Sequence, residues 1–168
     1  MSSELRFDVL VLGGGGAALR AALSACEQGT KTAILSKGEA GKSGATYYSV
    51  AEVGAFNVPD GALDPEDSPE EFYRDMEMAA LGTAQLPLCR ILAEQAESAL
   101  QYLEKISGGT VFAKEDGHFK VYQACFSTRP RSHVVENHFK PILRALRAIS
   151  RSGISFPIRP PPHIIWCI

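Results

Sequence analysis

The chain has 168 residues, 45% of them hydrophobic and 21% charged, with a formal net charge of −2. These values are typical of a globular protein and exclude a disordered, collagen-like or coiled-coil chain. The length predicts one domain that buries about two-thirds of its unfolded surface. Because the sequence has neither a run of about 18 apolar residues nor the basic and apolar regions of a secretory signal, we expect a soluble, cytoplasmic protein without a membrane span.

Charge is divided unevenly along the chain. Residues 1–119 carry nine Lys and Arg against 18 Asp and Glu, whereas residues 120–168 carry eight basic residues and one acid, Glu136. A basic half can bind nucleic acid or dicarboxylates. Since no nucleic-acid motif and few aromatic residues accompany this charge, we predict no nucleic-acid partner and favour two segments that face and neutralise each other.

A βαβ unit is predicted at the N-terminus. Residues 7–12 form an apolar run typical of a strand buried on both faces, and residues 17–28 are rich in helix formers with Gly29 as the C′ residue. Residues 31–36 form a second short strand. Strand, helix and strand within about 30 residues require parallel pairing and a right-handed crossover.

The middle of the chain is predicted to be irregular and then helical. Residues 37–66 contain many Gly and Pro residues, and an irregular segment of this length favours ligand contact over a simple connection. Residues 68–80 are predicted to form a helix with an N-cap serine, proline at N1 and glutamate at N3. A longer helix is predicted over about 87–106. Its expected buried stripe is Leu88, Leu92, Ala96, Ala99, Leu103 and Ile106.

The last third is predicted to contain a hairpin, a helix and an irregular tail. Residues 110–113 and 119–122 flank Glu-Asp-Gly at 115–117, a typical hairpin signal. A helix is predicted over about 137–151. Residues 155–168 contain four of the ten prolines, and we expect no element there that pairs in a central sheet.

Cysteine and histidine spacing predicts no metal site. The closest histidines that could pair on a helix, His133 and His138, are five residues apart rather than four. The cysteines are too widely spaced for a Cys-x-x-Cys motif and are expected to be buried thiols. They are Cys26, Cys89, Cys125 and Cys167.

A glycine motif lies between the first predicted strand and helix. Residues 13–18 (Gly-Gly-Gly-Gly-Ala-Ala) fit the pattern G-x-G-x-x-A. In this pattern Gly13 permits a tight turn, Gly15 lets a pyrophosphate approach the backbone, and Ala18 lets the helix pack close to the sheet. The diphosphate is expected on the free N–H groups at the positive end of the helix dipole. The strand before and helix after favour a dinucleotide site over a ligand-free turn.

The residues after the second strand bear on which dinucleotide binds. An NAD site usually has an acid at the end of this strand to bind the ribose hydroxyls. Ser36 and Lys37 stand there, and the nearest acid, Glu39, already lies in the loop. An NAD(P)-dependent dehydrogenase, with Glu39 binding the ribose, is therefore kept as an alternative hypothesis.

The N-terminal region resembles a known family. Residues 8–22 are similar to the opening of the succinate dehydrogenase, fumarate reductase and L-aspartate oxidase flavoproteins. In that family the second strand ends in Ser/Thr-Lys, matched by Ser36 and Lys37, and a Gly/Ser-rich loop then wraps the FAD, matched by residues 38–49. The helices and the Glu-Asp-Gly hairpin follow the family order, so the resemblance covers roughly residues 7–154.

The resemblance implies an α/β fold with a parallel Rossmann-like FAD-binding sheet, incomplete here, carrying inserted helices and a hairpin. It implies hydride transfer between flavin and a C4 dicarboxylate or amino-dicarboxylate. Covalent members carry a histidine where Gly44 stands, so non-covalent FAD is implied. The implied FAD-binding residues are Gly13, Gly14, Gly15, Gly16, Ala17, Ala18, Ser36, Lys37, Gly38, Ser43, Gly44, Ala45 and Thr46.

The family's remaining parts do not fit after Gly153. These parts are a third strand, a second FAD contact, and a capping domain with an arginine proton donor. We therefore expect residues 1–154 to be the N-terminal part of an FAD-binding domain and residues 155–168 an irregular proline-rich tail, with no catalytic residue in this chain. A non-catalytic, truncated nucleotide-binding module is a further alternative. For the full-length protein the resemblance implies a dicarboxylate substrate, a partner that carries iron–sulfur clusters, and the cytoplasm or the inner membrane face as its location.

Four other residues have two interpretations each. Arg20 is either a surface residue or a neighbour of the diphosphate, and Phe126 is expected in the core rather than in a substrate pocket. Arg129 and Arg131 could bind a dicarboxylate in bidentate fashion. Without the cap, a basic loop is the favoured interpretation of both arginines.

Overall fold

The computed structural model describes residues 6–42, 44–47, 54–152 and 164–167, and it includes side chains except at 147–152 and 164–167. The chain divides into two compact units. One unit consists of residues 1–50 with 139–168, and the other of residues 51–138. The second unit is therefore an insertion in the sequence of the first.

The first unit contains the predicted βαβ arrangement. Strand β1 (Val9–Leu12), helix α1 (Gly16–Glu27) and strand β2 (Thr32–Leu35) follow in order, and β1 pairs with β2 in parallel. Helix α4 (Lys140–Ser152) packs against α1. Buried side chains of both helices form the core of this unit: Leu19, Ala22, Leu23, Ile142, Leu143 and Leu146.

The sheet of the first unit corrects one expectation about β1. The strand was expected to be buried on both faces, but Leu10 is 58% exposed and Leu12 is 72% exposed. Residues Val9 and Val11 are only half-exposed. A strand of a parallel sheet is buried on both faces only when helices cover both. In the described part of this unit, the layer of α1 and α4 covers one face.

The C-terminal segment contains a strand that was not expected. Strand β8 (Ile164–Cys167) pairs antiparallel with β2, with Ile164 opposite Leu35 and Cys167 opposite Thr32. All four prolines of the segment precede this strand in the sequence, so none removes a hydrogen bond from the ladder. The prediction of an irregular tail without a pairing element is wrong for residues 164–167.

The second unit is built on a small antiparallel sheet and two helices. Its three-stranded sheet has the order β3 (Gly54–Asn57), β7 (Ser132–Val135), β6 (Val121–Tyr122). Helices α2 (Pro69–Ala79) and α3 (Leu86–Ser107) pack against each other. The predicted hairpin is present as β4 (Lys114–Glu115) and β5 (His118–Phe119), joined by Asp116 and Gly117, both at positive φ.

Two segments of the second unit differ from their predictions. Strand β3 lies inside residues 37–66, which were expected to be irregular, because pairing with β7 overrides the weak strand propensity of Gly-Ala-Phe-Asn. Helix α3 buries Ala93, Ala96, Leu100 and Leu103. Of the residues predicted to form the buried stripe, only Ala96 and Leu103 belong to this buried set. Leu88, Leu92 and Ala99 are exposed.

Helix boundaries follow local backbone chemistry. The predicted cap of α2 is confirmed, since the Ser68 hydroxyl accepts a hydrogen bond from the Glu71 amide at 3.3 Å. Helix α4 begins at Lys140 rather than near 137. Asn137 and His138 have φ values of 47° and 56°, in the left-handed region, so neither can join a right-handed helix.

A buried ion-pair network joins α2 and the segment before it to the loop that precedes β7. Arg131 is 1% exposed and binds Asp67 in bidentate fashion, with Nη2 2.7 Å and Nε 3.0 Å from the carboxylate oxygens. Its Nη1 donates to Asp75 at 2.5 Å. Asp75 also accepts hydrogen bonds from the Thr128 amide and hydroxyl at 2.9 and 2.8 Å. Every charged group of this network therefore has a partner.

Two more contacts extend the same pattern. Arg129 pairs with Asp64 at 2.7 Å and with Glu66 at 3.0 Å. Asp60 lies 2.9 Å from Nε2 of the fully buried His133. The expectation that basic residues after 120 neutralise acids earlier in the chain is confirmed for Arg129 and Arg131, and the dicarboxylate interpretation of these two arginines is not needed.

Replacing Asp75 with Asn is expected to lower the free energy of unfolding by about 3 kcal/mol, because it leaves the buried Arg131 guanidinium without one of its charged partners. Urea unfolding of the 168-residue chain measures the loss. The matched control is Asp64→Asn, which weakens a pair closer to solvent and should cost clearly less than Asp75→Asn. Equal losses in the two variants would contradict a special role for the buried network.

Stability is also expected to depend on pH. Burial acts to raise the pKa of Asp75 and Asp60, but hydrogen bonds from Thr128 and Arg131 to Asp75, and from His133 to Asp60, lower each pKa below its ordinary value of 3.8. A lowered pKa stabilises the folded state above the unfolded pKa, and that contribution disappears as pH falls through the folded value. Unfolding free energy should therefore be steady from pH 7 to about 5 and decline below about pH 4. Asp60→Asn should make the decline shallower, and an unchanged slope would argue against this assignment.

Candidate dinucleotide-binding site

The glycine turn lies where β1 ends beside β2. Gly13 has a φ of +120°, a value that L side chains rarely adopt, and its amide donates to the Leu35 carbonyl at 2.8 Å. A Cβ at Gly13 would lie 3.7 Å from the Ala18 Cβ, so the turn folds back onto the first turn of α1. The turn is therefore fixed at the carboxyl edge of the parallel pair, where ligands of open α/β sheets bind.

The N-terminus of α1 is available to an anion. Gly15 is the N-cap residue with extended backbone angles, and in the described part of the chain no side chain caps the helix. The first turn contains no acidic residue. The first amide groups of this 12-residue helix have no partner within the helix, and together with the helix dipole they are suited to hold a diphosphate.

The loop after β2 lies directly against the glycine turn. The Gly41 amide donates to the Gly14 carbonyl at 2.8 Å. Gly44 has a φ of +80°, and a Cβ on it would lie 3.4 Å from the Gly15 Cα. A Cβ at Gly16 would lie 3.1 Å from the Thr46 Oγ1.

The structure thus brings the predicted Gly13–Ala18 turn together with the predicted residues Gly44 and Thr46. Sequence reasoning did not single out Gly41, although its place between two other loop glycines could have drawn attention to it.

The other predicted residues lie at or near the start of this loop. Ser36 is buried at the end of β2, whereas Lys37 is exposed and Gly38 is half-buried. Ala45 is exposed between Gly44 and Thr46. Ser43 lies outside the described residues.

Glu39, the residue that the NAD(P) alternative needs, forms an ion pair with Lys42 at 3.0 Å. Arg20 Nη1 lies 3.5 Å from Glu27, two turns along α1 toward its C-terminus. This direction favours the surface interpretation of Arg20 over a diphosphate contact.

Two expectations about side chains away from the glycine turn are wrong. Phe126 was expected in the core, but it is 85% exposed with a φ of 63°. Cys125 was expected to be buried and is exposed. Both residues lie in a tight turn in which the Ser127 amide donates to the Ala124 carbonyl at 3.2 Å, and this turn directs them outward.

The strand, glycine turn, helix and parallel strand define a dinucleotide-binding protein. Residues 8–156 match the family model described as FAD binding domain, and the chain belongs to this family. The predicted cofactor class and the resemblance to fumarate reductase and succinate dehydrogenase flavoproteins are thereby confirmed.

Three known proteins illustrate the relationship. The chain is 40% identical over 118 residues to a subunit of the fumarate reductase (CoM/CoB) of Methanothermobacter marburgensis, an alignment covering 69% of this chain and 20% of that protein. It is similar to Mycobacterium smegmatis Sdh1 in complex with UQ1, with a TM-score of 0.76, 27% identity, and coverage of 87% of this chain and 24% of that one. It is also similar to 3-ketosteroid-delta4-(5alpha)-dehydrogenase from Rhodococcus jostii RHA1, with a TM-score of 0.62, 25% identity, and coverage of 84% and 35%.

The chain spans about a fifth of the length of the curated relative that it matches. Among the residues that the structure describes, no helix is both long and apolar enough to cross a membrane. In the same part of the chain, no group of three or more His, Cys, Asp or Glu is placed to hold a metal ion.

Replacing Gly15 with Val is expected to abolish dinucleotide binding, because the added side chain would occupy the point where a diphosphate must approach the backbone. Gly15 has a φ of −85°, so backbone strain adds nothing to this effect. Quenching of FAD fluorescence measures the affinity. Ala21→Val, which places the same side chain on an exposed position of α1, is the control and should bind FAD as the wild type does. Retained affinity in Gly15→Val would show that the glycines form only a turn.

Proposed function

We propose that this chain holds the diphosphate of FAD at the amino end of α1, with the loop after β2 closing over it. The observation that carries the proposal is the contact of Gly41 and Gly44 with the glycine turn, which places two backbone segments around one uncapped helix N-terminus. The residues proposed to bind FAD are Gly13, Gly14, Gly15, Gly16, Ala17, Ala18, Ser36, Lys37, Gly38, Ser43, Gly44, Ala45 and Thr46.

We propose that the flavin is held without a covalent bond. Gly44 stands where covalent members of the resembled family carry the attaching histidine. The positive φ of Gly44 supports this, because a histidine there would adopt a left-handed backbone conformation and place its Cβ against Gly15. The local backbone is therefore built for glycine.

We propose that the protein to which this portion belongs is an FAD-dependent oxidoreductase acting on a C4 dicarboxylate. Bound flavin supplies the hydride chemistry, while the residues of this chain bind and orient it. The support is the 40% identity to a subunit of a fumarate reductase. Because that relative is one subunit of its enzyme, a second polypeptide that carries iron–sulfur clusters is part of the proposal, as is a peripheral place on the inner membrane face.

The choice of substrate depends on residues other than the glycine turn. A fumarate reductase subunit and a ketosteroid dehydrogenase are both similar to this chain, yet their names indicate different substrates. Dicarboxylate specificity is therefore proposed from the fumarate reductase relative rather than from any side chain of this chain. The NAD(P) alternative has no comparable support, since the carboxylate it needs, Glu39, is paired with Lys42.

The purified chain is expected to quench added FAD fluorescence, NADH should not compete, and the flavin should be released into the supernatant when the protein is denatured with acid. The physical reasons are the absence of a ribose-binding acid at Ser36 and Lys37 and the glycine at position 44. Gly15→Val serves as the non-binding control. NADH binding without FAD binding would overturn the cofactor proposal, and flavin that stays with the precipitated protein would overturn the non-covalent one.

A further inference from the structure

A small basic cavity lies beside the loop that closes over the glycine turn. It has a volume of about 200 Å³ and lies within the first unit. Its lining comes from the loop after β2 and from the first turns of α4. The lining residues are Gly41, Lys42, Tyr47, Lys140, Leu143 and Arg144. Three of these six residues are cations and none is an acid, so the cavity is suited to an anion.

The basic residues at the start of α4 interact unfavourably with the dipole of this helix. The helix has 13 residues, begins at Lys140 and contains no acid in its first turn. Acids stabilise a helix N-terminus, and cations there are unfavourable because the free amide groups already carry partial positive charge. Lys140 and Arg144 also stand four residues apart, where like charges repel. A bound anion would relieve both effects.

One nearby acid neutralises one cation of this cluster and leaves the other two. Glu39 pairs with Lys42 at 3.0 Å. Among the residues that the structure describes, no carboxylate forms an ion pair with Lys140 or Arg144. Two of the three cations are therefore left to bind a ligand.

We propose that this cavity binds a phosphate-type oxyanion through Lys140 and Arg144, beside Lys42 with its Glu39 partner. The oxyanion would connect α4 to the loop after β2 and hold that loop in place. Gly41 would carry this restraint to the glycine turn, because it both lines the cavity and donates to the Gly14 carbonyl. The oxyanion is either free inorganic phosphate or a phosphate group of a nucleotide. This proposal goes beyond FAD binding, since none of these three side chains belongs to the proposed FAD site.

Thermal unfolding of the full 168-residue chain tests the proposal. The melting temperature is measured in sodium phosphate, in sodium chloride of matched ionic strength, with ADP, and with adenosine as the ligand that lacks phosphate. The variants are Arg144→Gln and the double variant Lys140→Gln with Arg144→Gln. The matched control is Lys105→Gln, which removes one positive charge from the last turn of α3.

We expect phosphate or ADP, but not adenosine, to raise the melting temperature of the wild type and of Lys105→Gln. Arg144→Gln should weaken the apparent affinity about tenfold, and the double variant should lose the response. If inorganic phosphate raises the melting temperature and ADP does not, the ligand is free phosphate. If ADP raises it, phosphate does not, and the response depends on Lys140 and Arg144, the ligand is a nucleotide phosphate.

The site is overturned if the wild type responds to neither ligand, or if the double variant responds as the wild type does. Gly15→Val separates this result from the proposed function, because that variant should lose FAD binding and keep its response to inorganic phosphate. A phosphate response lost in Gly15→Val but kept in the double variant would place the anion at the glycine turn and contradict the proposal.

Discussion

The proposed nucleotide site depends on the close approach of two backbone segments, whose conformation at the points of contact favours glycine. Gly44 lies against Gly15, and the Gly41 amide is bonded to the Gly14 carbonyl. A diphosphate can be surrounded by amide groups only if both segments come within hydrogen-bonding reach of it, and Gly41 and Gly44 both have a positive φ, at which a side chain would strain the backbone. The glycines of the loop after β2 are therefore as necessary to the arrangement as those of the turn before α1.

The second unit is stabilised in a different way. Arg131, Asp67 and Asp75 are charged groups removed from water, and such a network is favourable only because each group is paired and hydrogen-bonded. Through Thr128 the network also fixes the turn that exposes Phe126, a large apolar residue in a strained backbone conformation. A strained backbone conformation persists only where surrounding contacts fix it, and the buried ion pairs provide such contacts here.

Sequence patterns predicted the elements whose signals are local. The βαβ unit, the Ser68 cap and the Asp116–Gly117 hairpin each depend on a few consecutive residues, and each is present. Strands β3 and β8 were missed because their pairing partners lie far along the chain and local propensity there is weak. Arg131 was interpreted as part of a basic loop because its acidic partners, Asp67 and Asp75, lie 64 and 56 residues away in the sequence. At the glycine turn the motif predicted which residues form the turn before α1, but only the structure shows that Gly41 contacts this turn.

The position of the basic cavity indicates how cofactor binding and the rest of the unit are connected. Helix α4 packs against α1, whose N-terminus is the proposed diphosphate site, and it also lines the cavity with Lys140 and Arg144. An anion in the cavity would act on α1 through this packing and on the glycine turn through Gly41. Both routes lead to α1 and the glycine turn before it, so anion binding and FAD binding should favour each other by reciprocal linkage. This coupling requires no change of fold, because it needs only that the loop after β2 be held more firmly in the position it already has.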